Sequence, residues 1–221
     1  MKFFRRNKGA NERETGKKKP VTLKNTESFI SYIFLKYLEV VKRIGRFEVK
    51  NLDLIEPDTM IGFWHGDTYI VYLVLEKIME VQENVKAIVT SNPRGNYIEQ
   101  TINFMGAKAI RLPDGMAMLP MFRALKEESR EPGLILAASL DGPSGPVHEP
   151  KKLLFLLAKE AEKKVTYIRF ESKWIIRLKW RWDNYVIPLP FAKITAYIEN
   201  LGNIDQSVLK NFQEYRMQIK Y

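Results

Sequence analysis

Met60-Ile61-Gly62-Phe63-Trp64-His65-Gly66-Asp67 is the stretch on which the reading of this chain turns. The apolar run Met60–Trp64 has the length of a buried strand. It stops on a histidine and a glycine, and an apolar helical pattern follows over Asp67–Gln82. A buried strand that feeds a helix is half of a βαβ unit, and open α/β sheets bind ligands in the crevice beyond the C-terminal ends of such strands. His65 stands at that place. It is one of only two histidines in 221 residues, so proton transfer by an imidazole has few other seats. The plainer alternative is a histidine that satisfies a nearby carbonyl.

Outward from this junction the same alternation continues. Val85–Thr90 reads as strand, Arg94–Met105 as helix closed by Gly106, Ala107–Leu112 as strand, Gly115–Ser129 as helix and Gly133–Leu140 as a further buried strand. Such a series predicts an α/β fold with a mainly parallel or mixed central sheet flanked by helices. Upstream, Phe47–Leu52 alternates weakly, as an edge strand does. Before it, a helix capped by Asn25, Thr26 or Ser28 runs to about Ile44 and stops at Gly45. This N-terminal helix, residues 23–46 with its flanks, has a wide apolar face broken by Lys36, Glu39, Lys42 and Arg43. It suits packing on the domain, an interfacial position among lipid headgroups, or both.

Downstream, Pro150 opens a helix with Leu153, Leu154, Leu157, Ala158 and Ala161 on its buried face, and Val165–Phe170 follows as strand. In Lys173–Trp182 the residues Trp174, Ile176, Leu178, Trp180 and Trp182 alternate with Arg177, Lys179 and Arg181. That pattern predicts an aromatic core face backed by a solvated cationic one. Contact with nucleic acid is the alternative use of such a strand. Asp183–Phe191 reads as a proline-constrained connector to a strand near Ile194–Leu201, and Ser207–Tyr221 as a terminal helix.

Composition narrows the function classes. Cysteine is absent, which excludes disulfides, thiolate metal sites and cysteine nucleophiles. The net charge is +10 and unevenly spread: residues 1–19 carry eight Lys/Arg and two Glu, a balance of +6, against 28 and 24, or +4, for the rest. Residues 1–22 therefore read as a basic, disordered tail drawn to polyanions, whether anionic lipid or nucleic acid. No secretory signal or spanning run is visible, so the expected place is the cytoplasm, in solution or on a membrane surface. No phosphate-binding glycine loop, paired metal-ligand motif or serine elbow is present; no metal or resident cofactor is expected.

The remaining candidates are His65, scattered carboxylates and arginines near predicted strand ends. That set suits a general base acting on a hydroxyl, with cations holding an anionic substrate. Asp141-Gly142-Pro143-Ser144-Gly145-Pro146 follows a buried strand, and its glycines and prolines force a loop at the sheet edge shared with His65. Asp141 is either a wall of the site or a local cap.

Four pieces, in order, carry a resemblance: Trp64-His65-Gly66, Met105-Gly106-Ala107-Lys108-Ala109-Ile110-Arg111, the Asp141–Pro146 loop, and Trp182-Asp183-Asn184-Tyr185-Val186-Ile187-Pro188-Leu189-Pro190-Phe191. Over residues 45–202 the chain resembles a bacterial lysophospholipid acyltransferase-like family, a branch of the glycerolipid acyltransferase superfamily. The resemblance implies a glycerol-3-phosphate acyltransferase-like α/β sandwich over residues 47–221. It also implies acyl transfer from acyl-CoA or acyl carrier protein to a hydroxyl of a lysophospholipid-type acceptor. The expected setting is the cytoplasmic face of the inner membrane, with anionic lipids as partners and nucleic acid ranked last. His65 matches the general base, Arg111 an arginine that holds an anionic group of the acceptor, and Asp141 with Gly142 an acidic-glycine pair at the acceptor site. Two departures stand out. The superfamily's aspartate five residues after the histidine is Ile70 here, so the carboxylate that orients His65 falls to Asp67, Glu99 or Asp141. The branch's loop arginine is replaced by Ser144, leaving Arg94 or Lys151 as substitutes in anion binding. The alternative from another class is a non-catalytic lipid- or anion-binding protein on the same fold.

Overall fold

The computed structural model describes residues 26–112 and 118–221. The basic segment 1–22 and the start of the helix expected from Gly115 lie outside the described residues. The strands are β1 (Arg46–Lys50), β2 (Thr59–Phe63), β3 (Val85–Thr90), β4 (Lys108–Leu112), β5 (Ile135–Ser139), β6 (Lys164–Leu178) and β7 (Tyr185–Asn203). The helices are α1 (Thr26–Ile44), α2 (Thr68–Met79), α3 (Pro93–Phe104), α4 (Met118–Ser129), α5 (Leu153–Ala161), α6 (Gln206–Lys210) and α7 (Phe212–Tyr215). The strands form one sheet in the order β1-β7-β6-β2-β5-β3-β4. Every pairing is parallel except the long β6–β7 hairpin.

The pleat of β2 shows why this sheet needs helices on both faces. Ile61 packs into a core under α1, α2 and α3 with Leu38, Val41, Ile70, Val74 and Ile102. Met60 and Trp64 point the other way, into a core with Leu125, Leu154, Phe155, Leu157 and Phe212 beneath α4 to α7. A strand buried on both sides reads as the near-continuous apolar run seen in the sequence. Among the described residues no helix is long and apolar enough to cross a membrane.

The C-terminal half departs from the sequence reading. The strands expected at Val165–Phe170 and Lys173–Trp182 are one strand, β6, which ends at Leu178. Most of the expected connector Asp183–Phe191 belongs to β7. The hairpin register breaks midway: Lys173 pairs with Lys193, but Ile175 pairs with Pro188, so β7 spends extra residues where β6 spends one. Both prolines fit there because the ladder is interrupted. Trp174 sits at the break with φ 62, and the predicted aromatic core face does not form. Trp174 is 65% exposed and Trp180 80%.

The turn of this hairpin presses on the exit of β2. A Cβ added at Gly66 would lie 2.1 Å from the backbone carbonyl oxygen of Asp183. A backbone atom cannot swing aside as a side chain can. Gly66→Ala is expected to cost about 2–3 kcal/mol, read as a lower urea midpoint; an unchanged midpoint would show that the turn can retreat from β2.

Candidate functional site

His65 opens a single 3-10 turn, His65–Asp67, between β2 and α2. Its backbone is fixed from both sides. The His65 N–H donates to Asp141 Oδ1 at 2.9 Å, and its carbonyl accepts from Thr68 Oγ1 at 2.6 Å. The ring is set by a residue 118 positions away: Nδ1 lies 2.9 Å from Asp183 Oδ2. Asp183 is fully buried and takes two hydrogen bonds from Arg181, Nε to Oδ1 at 2.9 Å and Nη2 to Oδ2 at 2.6 Å. Burial opposes its charge, but the Arg181 hydrogen bonds and charge, with His65, outweigh that and hold the carboxyl below its ordinary value. An ionised carboxylate only accepts, so Nδ1–H is the donor of this bond, and in the neutral ring the free lone pair lies on Nε2. Trp182, 5.0 Å from the imidazole between ring centres, closes one side. The arrangement is an oriented base.

The predicted partners of His65 do other things. Asp67 is buried and its Oδ1 accepts from the Tyr221 hydroxyl at 3.5 Å. Glu99, on α3, faces Arg111 Nη1 at 3.7 Å. Asp141 is fully buried and accepts two backbone N–H groups, from His65 and from His148 at 3.2 Å. It fastens the loop after β5 to the exit of β2 and is neither the orienter nor open to a ligand. Ile70 lies in the core, where a carboxylate would be stranded, and the orienting role falls to Asp183 from the far end of the chain.

A cleft of about 440 Å³ opens beside the base, lined by His65, Thr68, Thr90, Asn92, Gly142 and Ser144 among others. It adjoins an almost wholly apolar pocket of about 60 Å³ and shares Phe63, Thr68, Ile88, Val89 and Ile98 with it. Gly142 and Ser144 are thus brought to the cleft, as expected. Lys151 lies beside Gly142, while Arg94 is exposed on the first turn of α3 and is not a lining residue. Arg111 is held at that helix start, with Nη2 donating to Asn92 O at 3.3 Å and Asn96 Oδ1 at 2.8 Å. Among the described residues no hydroxyl is hydrogen-bonded to His65 Nε2.

No family model matches the chain. It is similar to uncharacterized protein RP090 of Rickettsia prowazekii, with 24% identity over 209 residues. The likeness covers 90% of this chain and 93% of that protein, so it concerns the whole chain and not one motif.

Asp183, Arg181 and Trp182 join the site without having been singled out for it by the sequence. A signal existed in Arg181-Trp182-Asp183, where a lone carboxylate follows a run of cations and aromatics, but nothing local says which histidine it meets.

Behind the base, Asp67 faces Tyr221 and the charge of Arg177. Tyr221 stacks on His148 at 3.5 Å. Burial, with a smaller contribution from the Asp141 charge, pushes the Asp67 carboxyl up to about 7, against the pull of Arg177 and Tyr221. The folded-state value is raised, so between the ordinary 3.8 and about 7 the native chain holds a proton that the unfolded chain has released. Stability is therefore lost as pH rises through that window. In Asp67→Asn this loss should vanish: the variant's advantage in urea unfolding should grow by on the order of 1–4 kcal/mol from about pH 4 to about pH 8. Parallel stability profiles would mean that Asp67 is ionised throughout.

Proposed function

We propose that the protein is an O-acyltransferase with His65 as its general base. It moves an acyl chain from acyl-CoA or acyl carrier protein to a hydroxyl of a lysophospholipid-type acceptor. One observation carries this reading: a histidine with its Nδ1 proton engaged by a buried, arginine-held carboxylate faces a cleft with an apolar extension. Such a cleft matches substrates that bring a polar head to the base and a hydrocarbon chain to the apolar floor. The ordered motifs that resemble the lysophospholipid acyltransferase-like family point the same way.

In the reaction, Nε2 takes the proton of the acceptor hydroxyl as its oxygen bonds to the thioester carbonyl carbon. The carbon–sulfur bond then breaks, and the imidazolium returns the proton to the leaving thiolate, so an ester and a free thiol are formed. Asp183 stabilises the transient imidazolium through the Nδ1 hydrogen bond, and Arg181 keeps Asp183 ionised and aimed. His65 and Asp183 are the catalytic pair in this scheme; Asp67, Glu99 and Asp141 have no step in it. The protein works on the cytoplasmic face of the membrane, where acceptor and anionic lipids are found.

The full chain, with lysophospholipid in vesicles and radiolabelled acyl-CoA or acyl carrier protein, should form diacyl product. His65→Ala should lower the rate by about 10²–10⁴-fold with an unchanged circular dichroism spectrum, and Asp183→Asn by a comparable factor. Turnover in His65→Ala equal to the parent would refute the mechanism.

A further inference from the structure

Three of the chain's four tryptophans stand exposed on one hairpin, and folding gains little from exposing them. Trp64 is the buried one; Trp174, Trp180 and Trp182 are 65%, 80% and 38% exposed, and Phe191 is 69% exposed. Trp174 is also held at φ 62, a backbone region that costs a bulky residue roughly 1 kcal/mol. Lys173, Lys179 and Lys193 are exposed beside these rings, with the half-buried Arg177 and Arg181. The only acid between Ser172 and Lys193 is Asp183, which is buried and paired. Ring and cation together are the composition of a surface that enters the headgroup layer of an anionic bilayer.

The hairpin abuts α1. Tyr37 Oη donates to the Pro188 carbonyl at 2.7 Å, and Gly45 lies against the backbone of Ala192, next to Phe191. The side of α1 turned away from the core exposes Phe29, Ile33, Val40 and Ile44, all within about 60° of arc at 3.6 residues per turn. Branched aliphatic side chains offer nothing for a nucleic-acid base to stack on, whereas acyl chains accept them. These aliphatic side chains favour a lipid surface over a polyanion.

We infer that the β6–β7 hairpin is a membrane-docking element: Trp174, Trp180 and Phe191 enter an anionic lipid surface, aided by the outer face of α1. The inference rests on the acyltransferase reading for its site. The docking turn, Lys179–Asn184, also carries Trp182 and Asp183, the wall and orienter of His65. Trp182 packs so tightly on the loop at Gly145 that a Cβ there would approach its ring to 2.6 Å. Seating the hairpin in the headgroup layer therefore places the mouth of the cleft at the lipid surface, and an acceptor reaches the base without crossing water.

The test uses the full chain and vesicles of phosphatidylcholine with or without phosphatidylglycerol, some with brominated acyl chains. Phosphatidylglycerol vesicles should sediment the protein, and brominated lipid should quench its tryptophan emission. The double variant Trp174→Ser/Trp180→Ser, with an unchanged circular dichroism spectrum, should bind on the order of tenfold more weakly. Sedimentation without quenching would overturn the inference while leaving the membrane location intact. No vesicle binding would overturn both, yet acyl transfer to a water-soluble acceptor would still test the reaction. Tighter binding to a single-stranded oligonucleotide than to these vesicles, lost in the double variant, would reassign the patch to nucleic acid.

Discussion

The buried carboxylate of Asp183 is the point through which the site is held together. It has no access to water, and a charge in that position survives only if it is paired and hydrogen-bonded. Arg181 supplies two hydrogen bonds from two residues away, and the His65 ring supplies another from the opposite end of the domain. Removing Arg181 would leave that charge without its cation. The same bonds that satisfy Asp183 also fix the His65 ring, which lines the cleft. Satisfying the buried charge and orienting the His65 ring are one constraint here.

That constraint needs the β6–β7 hairpin to run on past β2. Tyr167 of β6 is level with Gly62 of β2, yet β6 continues to Leu178 before the chain turns. The register break between Lys173 and Ile175 increases local twist and bends a hairpin, and the turn meets β2 at Gly66, where any side chain would collide with it. Asp141 performs a parallel task on the other flank, tying the loop after β5 to the backbone of His65. The base thus stands between two clamps from different strands, and that rigidity keeps its ring in one orientation.

Ile70 and Ser144 acquire a physical sense in this light. Ile70 is a buried residue of α2 in an apolar cluster, whereas the hairpin brings Asp183 with its own arginine. Ser144 leaves the loop beside the cleft without a guanidinium, and Lys151 next to Gly142 is the cation placed to contribute there.

Local sequence determined a good deal. The edges of β3 match the strand expected at Val85–Thr90 to the residue, because a short β-branched segment there is closed by the Ser91-Asn92-Pro93 turn signal. The βα alternation and the place of His65 at a strand exit followed from the same periodicities. What the sequence left open was decided by long-range pairing. Asp67, Glu99 and Asp141 all stood open as orienters of His65, but a hydrogen bond depends on position in space, and the partner came from a hairpin turn 118 residues on. The period-2 alternation of Trp174–Trp182 likewise predicts an inward aromatic face only if the ladder is unbroken. A register shift at Trp174, set by the pairing with β7 and invisible in β6 alone, interrupts that ladder, and the end of β6 at Leu178 leaves Trp180 and Trp182 in the turn.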